Sequence, residues 1–474
     1  MIDAPRGWRF RVAGSQLAPC AVAWSHLLAE GGSHPGATVR GNRVRGTGDG
    51  EVLVDAGEAS AIGARARMIR RRRGFSLDVV AGLAGVSESY LSMLERGQRG
   101  FNRRGLIEDL ATALSCSVVD LTGQPYLPPD RESARAKQVI IQIEEGLNEA
   151  SLDDVPDLRP RSLDLLKGWV DSAAELRDIA RYQPSGEDIG AVLIELQVQA
   201  AMSSGRDRQV ATELLTQAAY HAFVLATTFG YLHLAQMAAQ RAYDAALISE
   251  HPALEAFAMF ARAPSIARTG GRRRAVRMLD RALDDAQQLA TIREGDTLGA
   301  EMFGLLHLMG AHFAARANDA AAAADHLEEA ARVAMLTGER NGFRQHFGPT
   351  NVAVWRVAIG VELGQGPAAA ERVGREPIDS DILGSKDRMA ALHFDLARSW
   401  AQAEGDRDSE ALRHLDMADR LAPQRIRNDP IGRDLVLTLD RRARRRVWEL
   451  DSLRNRFGIR RPNRPPGDKH QTSI

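Results

Sequence analysis

Cysteine is nearly missing from this chain: Cys20 and Cys116 are the only two in 474 residues. They stand far apart in unlike contexts, so they offer neither a disulfide framework nor a metal-ligand spacing, which suits a reducing compartment. Lysine is almost as scarce, at four of 62 basic residues, and we read that arginine bias as the mark of a GC-rich genome. Aromatic residues make up 5%. No stretch reaches the ~18–20 consecutive apolar residues that span a bilayer. Arg6, Arg9 and Arg11 near the start are followed by no apolar block of signal-peptide length. A cytoplasmic protein without membrane association is the expectation. P-loop, glycine-rich dinucleotide turn, nucleophile elbow and metal box are all missing, so we expect no enzyme, no metal and no cofactor.

Charge is present in balance but unevenly placed. The formal net charge is zero. Residues 59–123 hold ten Arg against six acids, a net +4, and residues 441–464 hold ten Arg against two, a net +8. Residues 124–440 carry −12. A basic module beside an acidic body fits a nucleic-acid partner.

Residues 1–57 are glycine-rich and lack any sustained period, so they read as disordered, or as a mis-annotated extension whose true start lies near Val52 or Val54. Trp8, Phe10 and Trp24 are scattered there without a motif. From Ala59 the helical period is plain. Ile62, Ala66 and Ile69 line a first helix that ends at Gly74. Ser76 caps a second, to about Ala84, with Val79, Val80 and Leu83 apolar. Gly85 and Val86 make a turn, and Ser87 caps a third helix through Leu94. A fourth runs from Arg104 to Ser115 and a short fifth from Val118 to Thr122. The fold class is therefore all-α: a five-helix DNA-binding domain at 59–123, a proline-rich linker at 124–131, a helical repeat domain at 132–457 and a disordered tail at 458–474.

The run from Ser76 to Gly97, with Ala81, Gly85-Val86-Ser87, Tyr90-Leu91-Ser92 and Glu95-Arg96-Gly97, resembles the lambda-repressor-like helix-turn-helix of the Xre family of transcriptional regulators. The resemblance covers about residues 61–123. It implies that the third helix lies in the major groove of double-stranded DNA. It makes Glu88, Ser89 and Met93 base readers, and Ser87, Tyr90, Ser92 and Arg96 backbone contacts; Arg72 of the basic run Arg70–Arg73, and Arg99 after the third helix, are read as backbone contacts because phosphate neutralisation supplies most non-specific affinity. It also makes Arg70 and Glu95 an ion pair tying the first helix to the third. Arg73, Arg103 and Arg104 are further phosphate candidates. Chemically, Glu88 can accept from cytosine, Ser89 can pair with several bases and Met93 can touch a thymine methyl. Leu77 departs from the pattern, since the family often has Gln there, and the third helix offers no Arg or Gln for bidentate contacts.

Downstream, small residues recur at i, i+4, i+7: Ala235, Ala239 and Ala242; Ala275, Leu279 and Ala282; Ala323, Leu327 and Ala330; Ala411, Leu415 and Ala418, followed by Pro423. Ala369 and Val373 make a weaker copy, and successive units start 40, 48, 46 and 42 residues apart. This looks like tetratricopeptide repeats with a lengthened period. Such hairpins stack into an α-solenoid whose concave wall binds extended segments or proteins. His307, His312, Asn351, Arg356 and His393 are its candidate lining. His221, His233 and His346 have no metal spacing. One final helix is expected from Pro430 to about Phe457, as a solenoid cap with a basic face. Xre-type heads on such bodies resemble peptide-sensing regulators of Gram-positive bacteria and regulators of filamentous actinomycetes. That resemblance implies a homodimer whose body senses a peptide, small molecule or protein partner. The alternative is an interaction scaffold with a degenerate DNA-binding head.

Overall fold

The computed structural model describes residues 62–126, 131–291, 296–443 and 447–459. The expectations for residues 1–57, for most of the tail and for Leu127–Pro129 of the linker lie outside them. Every regular element among the described residues is helical.

The head is built from α1 (Ile62–Arg72), α2 (Leu77–Leu83), α3 (Glu88–Glu95), α4 (Arg104–Ala113) and α5 (Val118–Thr122). Its helix starts are set by serine. The side chains of Ser76 and Ser87 accept from the backbone N–H groups of Val79 and Tyr90, and Ser117 forms a reciprocal capping box with Asp120. Each hydroxyl satisfies a donor that a helix start leaves orphaned. Gly85 has φ +67°, a left-handed conformation that a side chain would strain, and it lets α3 leave α2 at 106°. Val80, Ala81, Leu91, Leu94, Leu106, Leu110, Leu114 and Leu121 are buried between the helices. Val79 and Leu83 are apolar but exposed, so α2 buries only its Val80–Ala81 edge.

The body starts with α6 (Arg131–Asn148), α7 (Leu163–Asp178), the short α8 (Tyr182–Ser185) and α9 (Ile189–Met202). Hairpins follow: α10 (Gly205–Phe229) with α11 (Leu232–Ser249), α12 (Pro252–Ile266) with α13 (Arg272–Ala286), α14 (Leu298–Arg316) with α15 (Ala320–Thr337), and α16 (Pro349–Glu362) with α17 (Gly366–Arg375). After α18 (Ser380–Leu383), α19 (Lys386–Ala401) pairs with α20 (Asp408–Leu421). All five small-residue stripes fall on the second helix of a hairpin. Ala239, Ala242, Ala275, Ala330, Ala411 and Ala418 are completely buried there, where a larger side chain would hold the paired helices apart. Each second helix also packs on the first helix of the next hairpin, so the units stack.

The stack curls far enough for its two ends to meet. α19 touches α7, and α21 (Pro423–Arg427) touches α10. The Tyr182 hydroxyl donates to Asp387 and the Ser385 hydroxyl donates to the Asp178 carbonyl at 3.3 Å. The final segment is not one helix: α22 (Pro430–Arg442) ends where Ala443 turns extended, and α23 (Trp448–Arg456) starts afresh. Two separate helices can fold back on each other, burying Leu435, Leu439, Leu450 and Leu453 together, as a continuous rod could not.

Candidate nucleic-acid interface

The leading edge of α3 is open. Ser87, Glu88 and Ser89 are exposed, Tyr90, Ser92 and Met93 are half-buried, and Arg96 is exposed with its Nε donating to the Ser92 carbonyl at 3.2 Å. At the end of α1, Arg71, Arg72 and Arg73 are exposed and carry no ion pair among the described residues. This face thus carries four hydroxyls, those of Ser87, Ser89, Tyr90 and Ser92, with one carboxylate, one thioether and several unpaired guanidinium groups.

Behind it, Arg70 grips Glu95. Arg70 Nε donates to Oε1 at 2.6 Å and Nη2 to Oε2 at 2.7 Å, while Nη1 donates to the Phe75 carbonyl at 3.1 Å. A planar fork on a buried carboxylate fixes direction as well as distance, so α1 and α3 hold one angle. The hydrogen bond from Glu95, with its charge beside it, raises the Arg70 pKa above its ordinary value against the opposing effect of burial.

The other side of the head is fastened to the body. Arg99 pairs with Glu404 and Arg104 with Asp429. Both guanidinium groups, expected on phosphate, lie on body carboxylates in this DNA-free arrangement. Arg316 pairs with Glu108, Arg272 with Asp109 at 2.7 Å, and Asp434 accepts from the Phe101 N–H at 2.8 Å. Arg398 Nη2 and Nε donate to the Asn102 carbonyl at 2.8 and 3.0 Å. One apolar cluster runs from Leu91, Phe101 and Leu110 of the head into Ala397, Ile431 and Leu435 of the body. Gly105 shows how close the two surfaces come, since a Cβ there would sit 2.6 Å from the Arg316 carbonyl oxygen. Arg441, expected on a solvated basic face, lies against the turn that follows α3, where a Cβ on Gly97 would meet its guanidinium at 2.6 Å.

Glu362 is the hub of the fastening. Burial pushes its pKa up, but Arg398, His312 and Arg316 outweigh that and take it down to about 2. Sequence reading missed this carboxylate, whose one signal is an acid in the apolar run Val357–Val361 that precedes it.

The candidate lining residues separate. His312 and Asn351 face a cavity lined by both body and head, while Arg356 is exposed. His307 and His393 instead pair inside their hairpins, with His326 and His414, each through two Nδ1 atoms 3.0 Å apart. His221 is buried and its Nε2 meets the Ser185 carbonyl at 2.9 Å, His346 Nε2 lies 3.2 Å from Asp178, and His233 is exposed. No group of three or more possible metal ligands occurs among the described residues, and no single described helix is long and apolar enough to cross a membrane.

Residues 61–122 match the family described as a helix-turn-helix domain. No curated protein matches the chain. Among solved structures, that of Bacillus thuringiensis PlcR in complex with the peptide PapR7 and DNA aligns at 12% identity over 73% of this chain and 97% of that one, with a TM-score of 0.26. At that score the common geometry is too small for one chain to inform the other.

Proposed function

We propose that the chain is a sequence-specific DNA-binding transcriptional regulator, with α3 entering the major groove and the helical body governing how the head is presented. The observation that carries this is the asymmetry of the head. The edge Ser87–Ser89 and the cluster Arg71–Arg73 are open, while Arg99, Arg104, Glu108 and Asp109 on the other side are engaged by the body. Glu88, Ser89 and Met93 read base edges; Ser87, Tyr90, Ser92, Arg96 and Arg72 hold the backbone. The body mediates dimerisation, which places two heads on half-sites ~34–36 Å apart, and takes a peptide, small molecule or protein partner.

A salt-dependent gel shift of the full chain on genomic fragments tests the reading. Discrete retained sites support it. Uniform retention supports the alternative, an interaction scaffold with a degenerate head, which Leu77 and the lack of Arg or Gln along α3 favour.

A further inference from the structure

Between the head and the curled body lies a cavity of about 340 Å³, within the range of ligand pockets. The head supplies one wall through Ile107, Glu108, Val118 and Thr122, and the body supplies the rest. Six of its eight arginines among the described residues form ion pairs: Arg104 with Asp429, Arg177 with Asp178, Arg316 with Glu108, Arg344 with Glu175, Arg398 with Glu362 and Asp395, and Arg425 with Asp387.

Two do not. Arg268 sits in the π-type turn Ala267–Gly271 that follows Pro264, and it has neither a hydrogen bond nor a carboxylate within 4 Å among the described residues. Burial, with Arg104 beside it, lowers its pKa to about 10. Arg388 forms no ion pair among the described residues: it donates through Nε and Nη2 to the Asn351 amide oxygen at 3.2 and 2.6 Å, and the Asp387 charge acts on it only from beyond pairing distance. Its guanidinium lies 5.6 Å from the Trp355 ring. Trp355 Nε1 is buried and has no acceptor. Arg268, Arg388 and Trp355 thus give this part of the wall three incompletely matched donors, two of them cationic. Trp355 Nε1 is fully buried while Arg268 and Arg388 are half-buried at the cavity wall, and a donor or charge left without its partner is costly wherever water is partly excluded. The cavity also carries apolar side chains, Phe260, Leu305, Met309 and Phe394, and Phe260 and His312 both meet the Trp355 ring edge-on.

We propose that this cavity binds a small organic anion, a carboxylate or phosphate carried on an apolar body, with Arg268, Arg388 and the Trp355 indole as its donors. Because the head forms one wall, an occupant that favours one pose of the head shifts its availability to DNA; that consequence rests on the function proposed above.

The test uses the full chain without DNA. Melting is followed against sodium sulfate and against sodium chloride at matched ionic strength, which separates site binding from general salting-out. A saturable rise specific to sulfate is expected, with at least a tenfold weaker half-saturation in Arg268→Gln and Arg388→Gln and an unchanged one in Arg356→Gln. Phenylpropionate and phenyl phosphate distinguish the two anion sources; whichever fits should compete with sulfate, whereas neutral phenylpropionamide should not. Arg268→Gln, which removes a charge that makes no hydrogen bond, should also leave the melting temperature without anion unchanged or higher. Variants that respond like wild type, a wild type with no saturable response to sulfate or to either phenyl anion, or an Arg268→Gln variant that melts lower without anion would overturn the site. A gel shift on the same preparations keeps the two ideas apart: intact DNA retention with no anion response removes only the site, and the reverse removes only the regulator.

Discussion

The Glu362 carboxylate accepts the backbone N–H of Arg104 at 2.9 Å across a sequence separation of 258 residues. It also accepts from the Gly105 N–H at 3.3 Å. These are first-turn donors of α4, whose own N-cap residue, Arg103, makes no side-chain capping bond. A helix of the head is thus capped by an acid of the body, where charge and the helix dipole act in the same direction.

Glu362→Gln should therefore loosen the head and leave the buried Arg398 guanidinium with Asp395 as its remaining counter-charge. Breaking such a pair costs about 3–5 kcal/mol. Denaturant unfolding should show a loss of that order, and hydrogen exchange should quicken at Arg104 and Gly105. Unchanged exchange at those amides would remove Glu362 as the cap.

Gly105→Ala probes the same junction by shape. Its Cβ would meet backbone, which cannot swing aside as a side chain can, so head and body must part. We expect a loss of about 1–3 kcal/mol, as for overpacking, and faster proteolysis in the linker. A variant as stable and as protease-resistant as wild type would show that the surfaces are not held together in solution.

Within the head, Glu95→Ala should leave Arg70 buried and unpaired, unfold residues 62–122 before the body and abolish DNA binding. The double change Arg70→Met with Glu95→Leu should recover most of the stability, because an apolar pair of similar volume replaces the ions. Calorimetry resolves this: equal losses in single and double variants would argue against the pair.

On the proposed DNA face, Ser89→Ala with Met93→Ala should reduce operator preference, by less per residue than the about 1–3 kcal/mol of a bidentate pair, and spare non-specific binding. Arg72→Gln should do the opposite, weakening all duplexes alike and lowering the salt slope by about 1. Equal discrimination between operator and random duplex in the first variant would refute the base readers.

Acid should destabilise the body well before carboxylates titrate. Burial, then Arg177, takes His221 down to about 3, and burial takes His312 to about 4. Burial and the facing ring take His307 and His414 to about 4 as well. Between the unfolded value of 6.5 and those lowered values the unfolded chain binds the extra protons, so stability is full above pH 6.5 and falls as pH drops toward 4. His221 alone sets a slope of about 1.4 kcal/mol per pH unit. Urea midpoints measured between pH 7 and pH 5 that do not move would mean these rings are not buried neutral.

What is legible in the sequence is local. Ser76 and Ser87 announce helices because a cap acts over three residues, and the alanine stripes announce hairpins because close packing repeats along one face. The fastening of head to body is not legible. Glu362, Asp429 and Asp434 look like ordinary helix acids until the fold brings them to Arg104 and Phe101. For the same reason Arg99 and Arg104 look free for phosphate, and His307 and His393 look like concave lining until their hairpin partners close on them. Arg268 gives only one hint, a proline four residues earlier in an alanine-rich helix.

The borrowed cap also sets an order of events during synthesis. The head leaves the ribosome first, yet the acid that completes α4 is made 258 residues later, which at cellular rates is roughly 13–50 s. A nascent or prematurely terminated chain would carry a head with an unfinished helix, and so would compete poorly for whatever the finished protein binds. Completion of the chain thus acts as its own quality check.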